Sequence, residues 1–228
     1  MFSLALTTFD RFDTFTEKHI DKYLENEYLS EIVVTDDCSP DYVKLLNKYG
    51  SNPKVKIFTN QENMDCYRNK LITANHTSCD WICLMDSDNF CDLNYFQALL
   101  KFWEINGRDE NTVYMPSKAL PVFDYTQLNN MIIDKSNWNL YYEGACFNTF
   151  NLVFHRSVLK YQDDTSFDPA GVDSLYMNMK WVKNGVKLAV VPDMEYQHGM
   201  HACSHHLLND EKTARVRQTI DFFIRDDT

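Results

Sequence analysis

Glycine is scarce in this sequence, and its distribution excludes one kind of phosphate site. The chain has six glycines in 228 residues, and the first of them is Gly50. Sugar-nucleotide pyrophosphorylases need a glycine-rich loop after their first strand, where backbone amides approach the phosphates. Here the first apolar run, at residues 2–7, is followed by Thr8-Phe9-Asp10-Arg11. The sequence therefore argues strongly against that enzyme class.

Positive charge and long apolar runs are also in short supply. Lys and Arg number 22 against 33 Asp and Glu, which gives a formal net charge of −11. An acidic surface repels nucleic-acid phosphates and anionic lipid headgroups, so we expect neither as a partner. No run approaches the ~18 apolar residues of a membrane span, and the N-terminus lacks the basic region of a secretory signal. We therefore expect a cytoplasmic protein without a membrane span.

The seven cysteines form no Cys-x-x-Cys pair. This spacing supports neither a zinc ribbon nor a thioredoxin-type redox site. An odd number of scattered cysteines is typical of reduced thiols in a reducing compartment.

Short apolar runs alternate with helical patterns through the first half of the chain. An alternating order of strands and helices indicates an α/β fold, with a mostly parallel central sheet and helices on both faces. The predicted strands are 2–7, 31–35, 54–58 and 80–85, and the predicted helices are 14–29, 64–75, 92–106 and one from about Pro40.

The second half of the chain is less regular. Residues 116–150 are rich in Asn, Tyr and Pro and are predicted to form surface loops. Beyond them we predict strands at 151–155 and 186–191 and helices at 173–184 and 209–225.

Polar clusters follow three of the predicted strands, at residues 7–11, 36–39 and 86–89. Open parallel sheets bind ligands beyond the carboxyl ends of their strands, so these clusters predict a ligand site at one edge. The alternative for any single cluster is a loop whose polar groups only satisfy the backbone.

Asp86-Ser87-Asp88 is the most informative of the three clusters. Side chains two residues apart in extended chain point the same way, so the two carboxylates repel each other unless a cation lies between them or one is protonated. Carboxylate oxygens favour Mg²⁺ or Mn²⁺, and such ions keep coordination positions for substrate phosphates. The sequence predicts a divalent metal site here.

Five stretches of the sequence form a pattern by their order and spacing: residues 3–11, 32–39, 68–70, 81–89 and 171–173. Together they make the chain resemble a glycosyltransferase of the GT-A fold, close in pattern to glycosyltransferase family 2. The resemblance covers about residues 2–200 and implies one domain, with a nucleotide-binding half at 1–115 and an acceptor-binding half with a C-terminal helix at 116–228.

The resemblance implies a nucleotide-sugar donor, with a UDP-sugar as first choice and a GDP-sugar as second, and Mn²⁺ or Mg²⁺ as cofactor. In that family pattern Thr7 and Thr8 lie beside the base and ribose, and Asp36 or Asp37 accepts a hydrogen bond from the base. Arg68 lies near the donor. Asp86, Ser87 and Asp88 lie at the ribose and the metal, and Asp88 binds the ion directly. One departure is visible, because the family often has Asn-x-Gly where this chain has residues 60–63.

The acceptor is a glycan or another compound with a hydroxyl group. If transfer inverts the configuration at the anomeric carbon of the sugar, a carboxylate base is needed to take the proton of that hydroxyl. The resemblance assigns this role to Asp173, with Asp168 as second choice. A carboxylate that opens a helix is also a common N-terminal cap, so that alternative stays open.

Histidines cluster after the strand predicted at 186–191. In the family pattern a downstream histidine often completes the metal site, and here His198 or His201 can do so, with His198 favoured. The alternative is an exposed polar loop. A non-catalytic module that binds a nucleotide sugar or a glycan is the alternative to an enzyme.

Overall fold

The computed structural model describes residues 1–141, 147, 151–162, 168–199, 214 and 218. The predicted C-terminal helix at 209–225 lies outside these residues, apart from positions 214 and 218, and so does His201.

Nine strands and five α-helices make up the fold of the described residues. The strands are β1 Phe2–Thr8, β2 Leu29–Asp36, β3 Val55–Thr59, β4 Trp81–Asp86, β5 Thr112–Leu120, β6 Phe123–Asp124, β7 Ile132–Ile133, β8 Val153–His155 and β9 Lys187–Gln197. The helices are α1 Glu17–Leu24, α2 Asp41–Tyr49, α3 Asp65–His76, α4 Leu93–Asn106 and α5 Asp173–Lys183. A π-helical turn, Phe12–Thr16, precedes α1, and 3₁₀ turns lie at Thr126–Leu128, Trp138–Leu140, Arg156–Tyr161 and Ala170–Val172.

All nine strands belong to one sheet, in the order β3-β2-β1-β4-β8-β5-β9-β7, with β6 paired to β5. The first four are parallel to one another, and β5 is parallel to β9. β8 is antiparallel to both β4 and β5, so β4 and β5 run in the same direction. Therefore β1, β2, β4, β5 and β9 all end at one edge, which we call the carboxyl edge.

The second half of the sheet corrects the sequence prediction. Residues 116–120 belong to β5 and two further short strands lie within 116–150, so the prediction of loops was wrong there. Pro116 is accommodated because the register of β5 on β9 shifts between Pro116 and Lys118. β9 also continues past Pro192 to Gln197, beyond the predicted end at residue 191.

An apolar layer covers each face of the sheet, which explains why β1 is buried along its whole length. Alternate residues of a strand face opposite sides, so Leu4 and Leu6 enter one layer and Ala5 enters the other. The first layer contains Ile20 and Tyr23 of α1 and Phe96 and Leu99 of α4, and the second contains Tyr67 and Leu71 of α3 and Leu175 and Trp181 of α5.

Within the described ranges, none of the helices combines the length and the apolar character that a bilayer crossing requires.

Candidate functional site

The ends of β1, β2 and β4 bring the predicted polar clusters together at the carboxyl edge. Thr7 lies opposite Asp86 in the register of β1 and β4, and its hydroxyl donates to Asp86 Oδ1 at 3.2 Å. Thr8 lies opposite Asp36 in the register of β1 and β2. The amide of Ser87 donates to the carbonyl of Thr7 at 3.0 Å, which continues the sheet pairing into the loop.

Lys70 joins this edge to α5. It projects from α3, and its side chain is only 5% exposed. The ammonium nitrogen lies 3.1 Å from Asp86 Oδ1 and 2.8 Å from Asp173 Oδ2. Since a buried ammonium is stable only beside negative groups, the two carboxylates and the lysine stabilise one another.

The pKa shifts of this cluster follow from burial and crowding of charge. Burial raises the pKa of Asp86, the charges of Asp88 and Asp173 raise it further, and Lys70 opposes them. Burial acts to lower the pKa of Lys70. The negative charges of Asp173 and Asp86 have the larger opposite effect, so the pKa of Lys70 is raised. The nearby thiol of Cys66 has its pKa raised to about 12, chiefly by burial and then by Asp173.

Asp88 is paired with a second cation. Nη1 of Arg11, which follows β1, forms an ion pair with Asp88 Oδ2, and the two side chains are 22% and 13% exposed. Three carboxylates and two cations therefore meet at this edge, and their formal charges sum to −1.

The backbone of the Asp86-Ser87-Asp88 loop is held from two sides. Buried His19 of α1 donates from Nδ1 to the carbonyl of Ser87 at 2.9 Å, and burial lowers the pKa of this histidine. On the other side the amide of Asp86 donates to Asn151 Oδ1 at 3.1 Å. These contacts fix where the two carboxylates emerge.

The end of β9 packs directly on the same loop. The amide of Gly199 donates to Asn89 Oδ1 at 3.0 Å, and a Cβ at Gly199 would lie 2.1 Å from the carbonyl oxygen of Asp88. Only glycine permits this approach. His198 and Gly199, which follow β9, therefore form one wall of the candidate site.

His198 lies on that wall. Its ring packs edge-on against Phe123 at 5.8 Å, and its Nδ1 lies 3.5 Å from the hydroxyl of Tyr196. The structure does not gather His198, Asp86 and Asp88 into one group of donor atoms. Its role as a metal ligand stays a prediction.

The two aspartates after β2 are buried and already hydrogen-bonded. Asp36 accepts from the amide and the hydroxyl of Ser39, both at 2.6 Å. Asp37 accepts from Asn60 at 2.7 Å and from the amide of Met64 at 2.8 Å. Burial raises the pKa of both carboxyls. Asp36 thus holds the loop after β2, and Asp37 holds the segment between β3 and α3.

Arg68 lies on a different face of α3 from Lys70. It lines a cavity of about 590 Å³ between α3 and the Arg156–Tyr161 turn, together with Leu71, Ile72 and Leu159. Across the described ranges Arg68 makes no ion pair. α3 itself begins at Asp65 with φ 63°, a left-handed conformation that favours glycine. The cation that α3 contributes to the aspartates is Lys70.

Asp173 is the first residue of α5, and its role as a base stays a prediction. The N-cap position belongs to Val172, without a side-chain cap hydrogen bond, and Asp173 Oδ1 accepts from the adjacent amide of Ser174 at 3.0 Å. Its Oδ2 accepts from Lys70 at 2.8 Å, which places this oxygen beside the group that binds Asp86.

The donor set suits a hard divalent cation that shares its coordination with a substrate. Within the described residues, no three His, Cys, Asp or Glu side chains lie close enough to hold a metal together. Asp86 and Asp88 supply only carboxylate oxygens, and Mg²⁺ is commonly bound by one or two carboxylates plus substrate phosphates. These two residues fit such an ion.

Sequence reasoning missed Lys70, Asn151 and Gly199. Lys70 carried a readable signal, because it shares the buried face of α3 with Tyr67, Leu71 and Ala74. A lysine on an apolar helix face requires a carboxylate partner. Asn151 and Gly199 gave no such signal, since their importance depends on contacts between distant segments.

Solved structures share this architecture. A fragment of S. aureus TarS, residues 1–349 in complex with UDP-GlcNAc, has a TM-score of 0.72 at 16% identity, over 96% of this chain and 65% of that one. Another structure of that fragment has a TM-score of 0.67 at 16% identity, over 86% and 60%. GalNAc-T7 with UDP, GalNAc and Mn²⁺ has a TM-score of 0.68 at 14% identity, over 96% and 48%. This chain thus spans less than two thirds of each.

No curated protein matches the sequence significantly. The family model for glycosyl transferase family 2, however, matches residues 3–162, which is most of the chain. That range contains β1 through β8 and the Asp86-Ser87-Asp88 loop. The chain belongs to glycosyl transferase family 2 and has the GT-A fold.

Proposed function

We propose that this protein transfers a sugar from a nucleoside-diphosphate donor to a hydroxyl group of an acceptor such as a glycan. One observation carries the proposal: Lys70 joins Asp86, at the donor end of β4, to Asp173, at the start of α5. A donor-binding carboxylate and a candidate base therefore lie within one cluster.

The donor is a UDP-sugar in this proposal, with a GDP-sugar as second choice. UDP is supported by the similar structures of TarS and GalNAc-T7, which contain it. Thr7, Thr8 and Asp37 would face the base and ribose, and Arg68 would lie near the donor. Asp36 is a weaker candidate, because Ser39 already engages both of its oxygens.

Mn²⁺ or Mg²⁺ is the proposed cofactor, held by Asp88 with Asp86 and His198 in support. When bound, the ion would neutralise the charge that develops on the departing nucleoside diphosphate. The formal charges of the ion-paired cluster, Arg11, Lys70, Asp86, Asp88 and Asp173, sum to −1, which supports binding of a cation there.

Asp173 is the proposed general base, which would take the proton of the acceptor hydroxyl. Such a base is consistent with inversion of configuration at the anomeric carbon of the sugar. Its Oδ2 is oriented by Lys70 at 2.8 Å, and the residue is 6% exposed. A general base contributes roughly 10²–10⁴-fold to the rate.

The first experiment is a thermal-shift series with UDP, GDP, TDP and CDP, each with and without Mn²⁺. We expect UDP with Mn²⁺ to give the largest rise in Tm, since a specific ligand at a hundredfold excess over its Kd stabilises by about 2.7 kcal/mol. No shift with any nucleotide would remove the donor site from the proposal.

The second experiment compares Asp173→Asn with Asp92→Asn. Asp92 caps α4 by accepting from the amide of Asn94 at 2.9 Å, so it is a matched carboxylate at a helix start. We expect Asp173→Asn to lower kcat by roughly 10²–10⁴-fold with UDP affinity nearly unchanged, and Asp92→Asn to keep normal turnover. Normal turnover in Asp173→Asn would exclude it as the base. Donor binding without any turnover in the wild type would favour a binding module.

A further inference from the structure

We propose that Arg11 is an internal competitor of the metal: its guanidinium occupies Asp88 in the free protein and moves to the diphosphate when a nucleotide binds. This inference rests on the proposed function, and it assigns to Arg11 a coupling role between the two ligands. The observation behind it is the ion pair between Arg11 Nη1 and Asp88 Oδ2, which joins residues 77 positions apart.

The backbone of Arg11 is fixed while its side chain is long. The amides of Phe15 and Thr16 donate to the Arg11 carbonyl at 3.0 and 3.1 Å, and the next amide, that of Phe12, donates to Asp41 at 2.7 Å. Because the backbone after β1 is fixed, only rotation about the side-chain bonds of Arg11 can move its guanidinium. The charged group can therefore change partners at the carboxyl edge without movement of the backbone.

Lys70, the other cation of this cluster, has less freedom to move than Arg11. Lys70 is enclosed by α3, β4 and α5, with contacts to Asp86 and Asp173 and a side-chain exposure of 5%. The Arg11 side chain is 22% exposed, and its partner Asp88 is 13% exposed. Arg11 is thus the cation that can reach an incoming anion without unpacking the core.

One carboxylate oxygen cannot serve a guanidinium and a metal ion at full strength. A metal ion that binds Asp88 Oδ2 displaces Arg11, and one that binds Oδ1 is repelled by the neighbouring guanidinium charge. In both cases Arg11 lowers the metal's affinity in the free protein. A diphosphate offers Arg11 two or more anionic oxygens in a geometry that guanidinium groups match well. Nucleotide binding would then release Asp88, and each ligand would raise the affinity of the other by the same factor.

The test measures Mn²⁺ binding directly, from the electron paramagnetic resonance signal of free Mn²⁺, with no nucleotide and no turnover. The variants are Arg11→Gln and Arg11→Met, and the control is Arg108→Gln. Arg108 is an exposed arginine near Trp81 and Trp103, at the opposite end of the strands, so its loss changes the net charge equally.

We expect both Arg11 variants to bind Mn²⁺ about tenfold more tightly than the wild type in the absence of nucleotide, within the usual range of site coupling. Adding UDP should then raise their Mn²⁺ affinity by a smaller factor than in the wild type. Arg108→Gln should match the wild type in both measurements.

Unchanged or weaker Mn²⁺ binding in folded Arg11 variants would overturn the inference. Loss of cooperative unfolding in both variants would also overturn it, because Arg11 would then be a structural residue. If the wild type itself shows no Mn²⁺ binding with UDP present, the proposed function fails instead, and the two failures are therefore distinguishable.

Discussion

At the scale of the single residue, Lys70 is the side chain on which the edge depends most. It is held between carboxylates from β4 and α5, and its own side chain is 5% exposed. Removing one partner of a buried ion pair leaves an uncompensated charge, which is far costlier than replacing the whole pair. Lys70 therefore has a structural role in addition to any part in the reaction.

We expect Lys70→Met to lower the free energy of unfolding by about 3 kcal/mol, because buried Asp173 and partly exposed Asp86 would both lose the ammonium that pairs with them. Urea unfolding at pH 7 measures the change. Lys118→Met is the control, since the partner of Lys118 is Glu195, both side chains are about a third exposed, and surface pairs contribute little. Equal unfolding midpoints for the two variants would contradict this account.

At the scale of the element, the candidate site depends on how the end of β9 meets the loop after β4. Phe90 and Gln197 exchange backbone hydrogen bonds at 3.0 and 2.7 Å, and Gly199 then packs on the carbonyl of Asp88. The loop carrying the two aspartates is therefore fixed by a segment more than a hundred residues away. Substitutions at Gly199 should act on that loop.

Gly199→Ala is expected to abolish Mn²⁺-assisted UDP binding, because its Cβ would lie 2.1 Å from the Asp88 carbonyl oxygen. Gly107→Ala is the control: Gly107 has φ 80° with no atom near a new Cβ, so alanine costs about 1 kcal/mol of stability through the backbone alone. Isothermal titration of UDP with Mn²⁺ distinguishes them. Wild-type affinity in Gly199→Ala would show that the loop tolerates displacement.

Elements with a strong local pattern could be predicted from the sequence, and elements defined by pairing could not. The strands at 2–8, 29–36, 55–59 and 81–86 and the helix at 173–183 lie within two residues of their predicted ends. β5 was missed because Pro116 and the polar residues around it resemble a loop, and only the register shift on β9 accommodates them.

The candidate site was predictable in part for the same reason. Asp86, Asp88 and Asp173 could be proposed from their positions at the ends of apolar runs and helices. Which cation each one meets depends on tertiary packing, and sequence spacing alone does not give the contacts of Lys70 and Arg11.

At the scale of the whole molecule, the opposite edge of the sheet also contains a buried carboxylate. Glu31 lies near the start of β2 and accepts hydrogen bonds from Ser3, from the amide of Ser78 and from Lys56. Burial acts to raise its pKa, but the hydrogen bonds from Lys56, Ser3 and Ser78 lower it from 4.5 to about 2. Glu31 thus connects the start of β1, β2 and β3 to the segment before β4.

This pKa shift predicts how the fold responds to acid. Because the folded pKa of Glu31 lies below its unfolded value, its contribution of about 1–2 kcal/mol, after allowance for solvent screening, is complete above pH 4.5 and is lost as the pH falls towards 2. We expect Glu31→Gln to be less stable at pH 6 by that amount and to converge with the wild type only as the pH approaches 2.

Denaturant unfolding at several pH values tests this prediction. Glu104→Gln, on the exposed side of α4, is the control and should follow the wild-type curve. A constant difference between Glu31→Gln and the wild type from pH 6 to pH 2 would contradict the assignment.

The reversed direction of β8 has a consequence for how such a protein can change over evolutionary time. Since β8 opposes both of its neighbours, the chain enters the sheet there at the carboxyl edge, and Asn151, just before it, binds the amide of Asp86. Insertions ahead of that entry point would change what surrounds the Asp86-Ser87-Asp88 loop while leaving the parallel strands intact. The environment of this loop can therefore diverge among descendants that keep the same sheet.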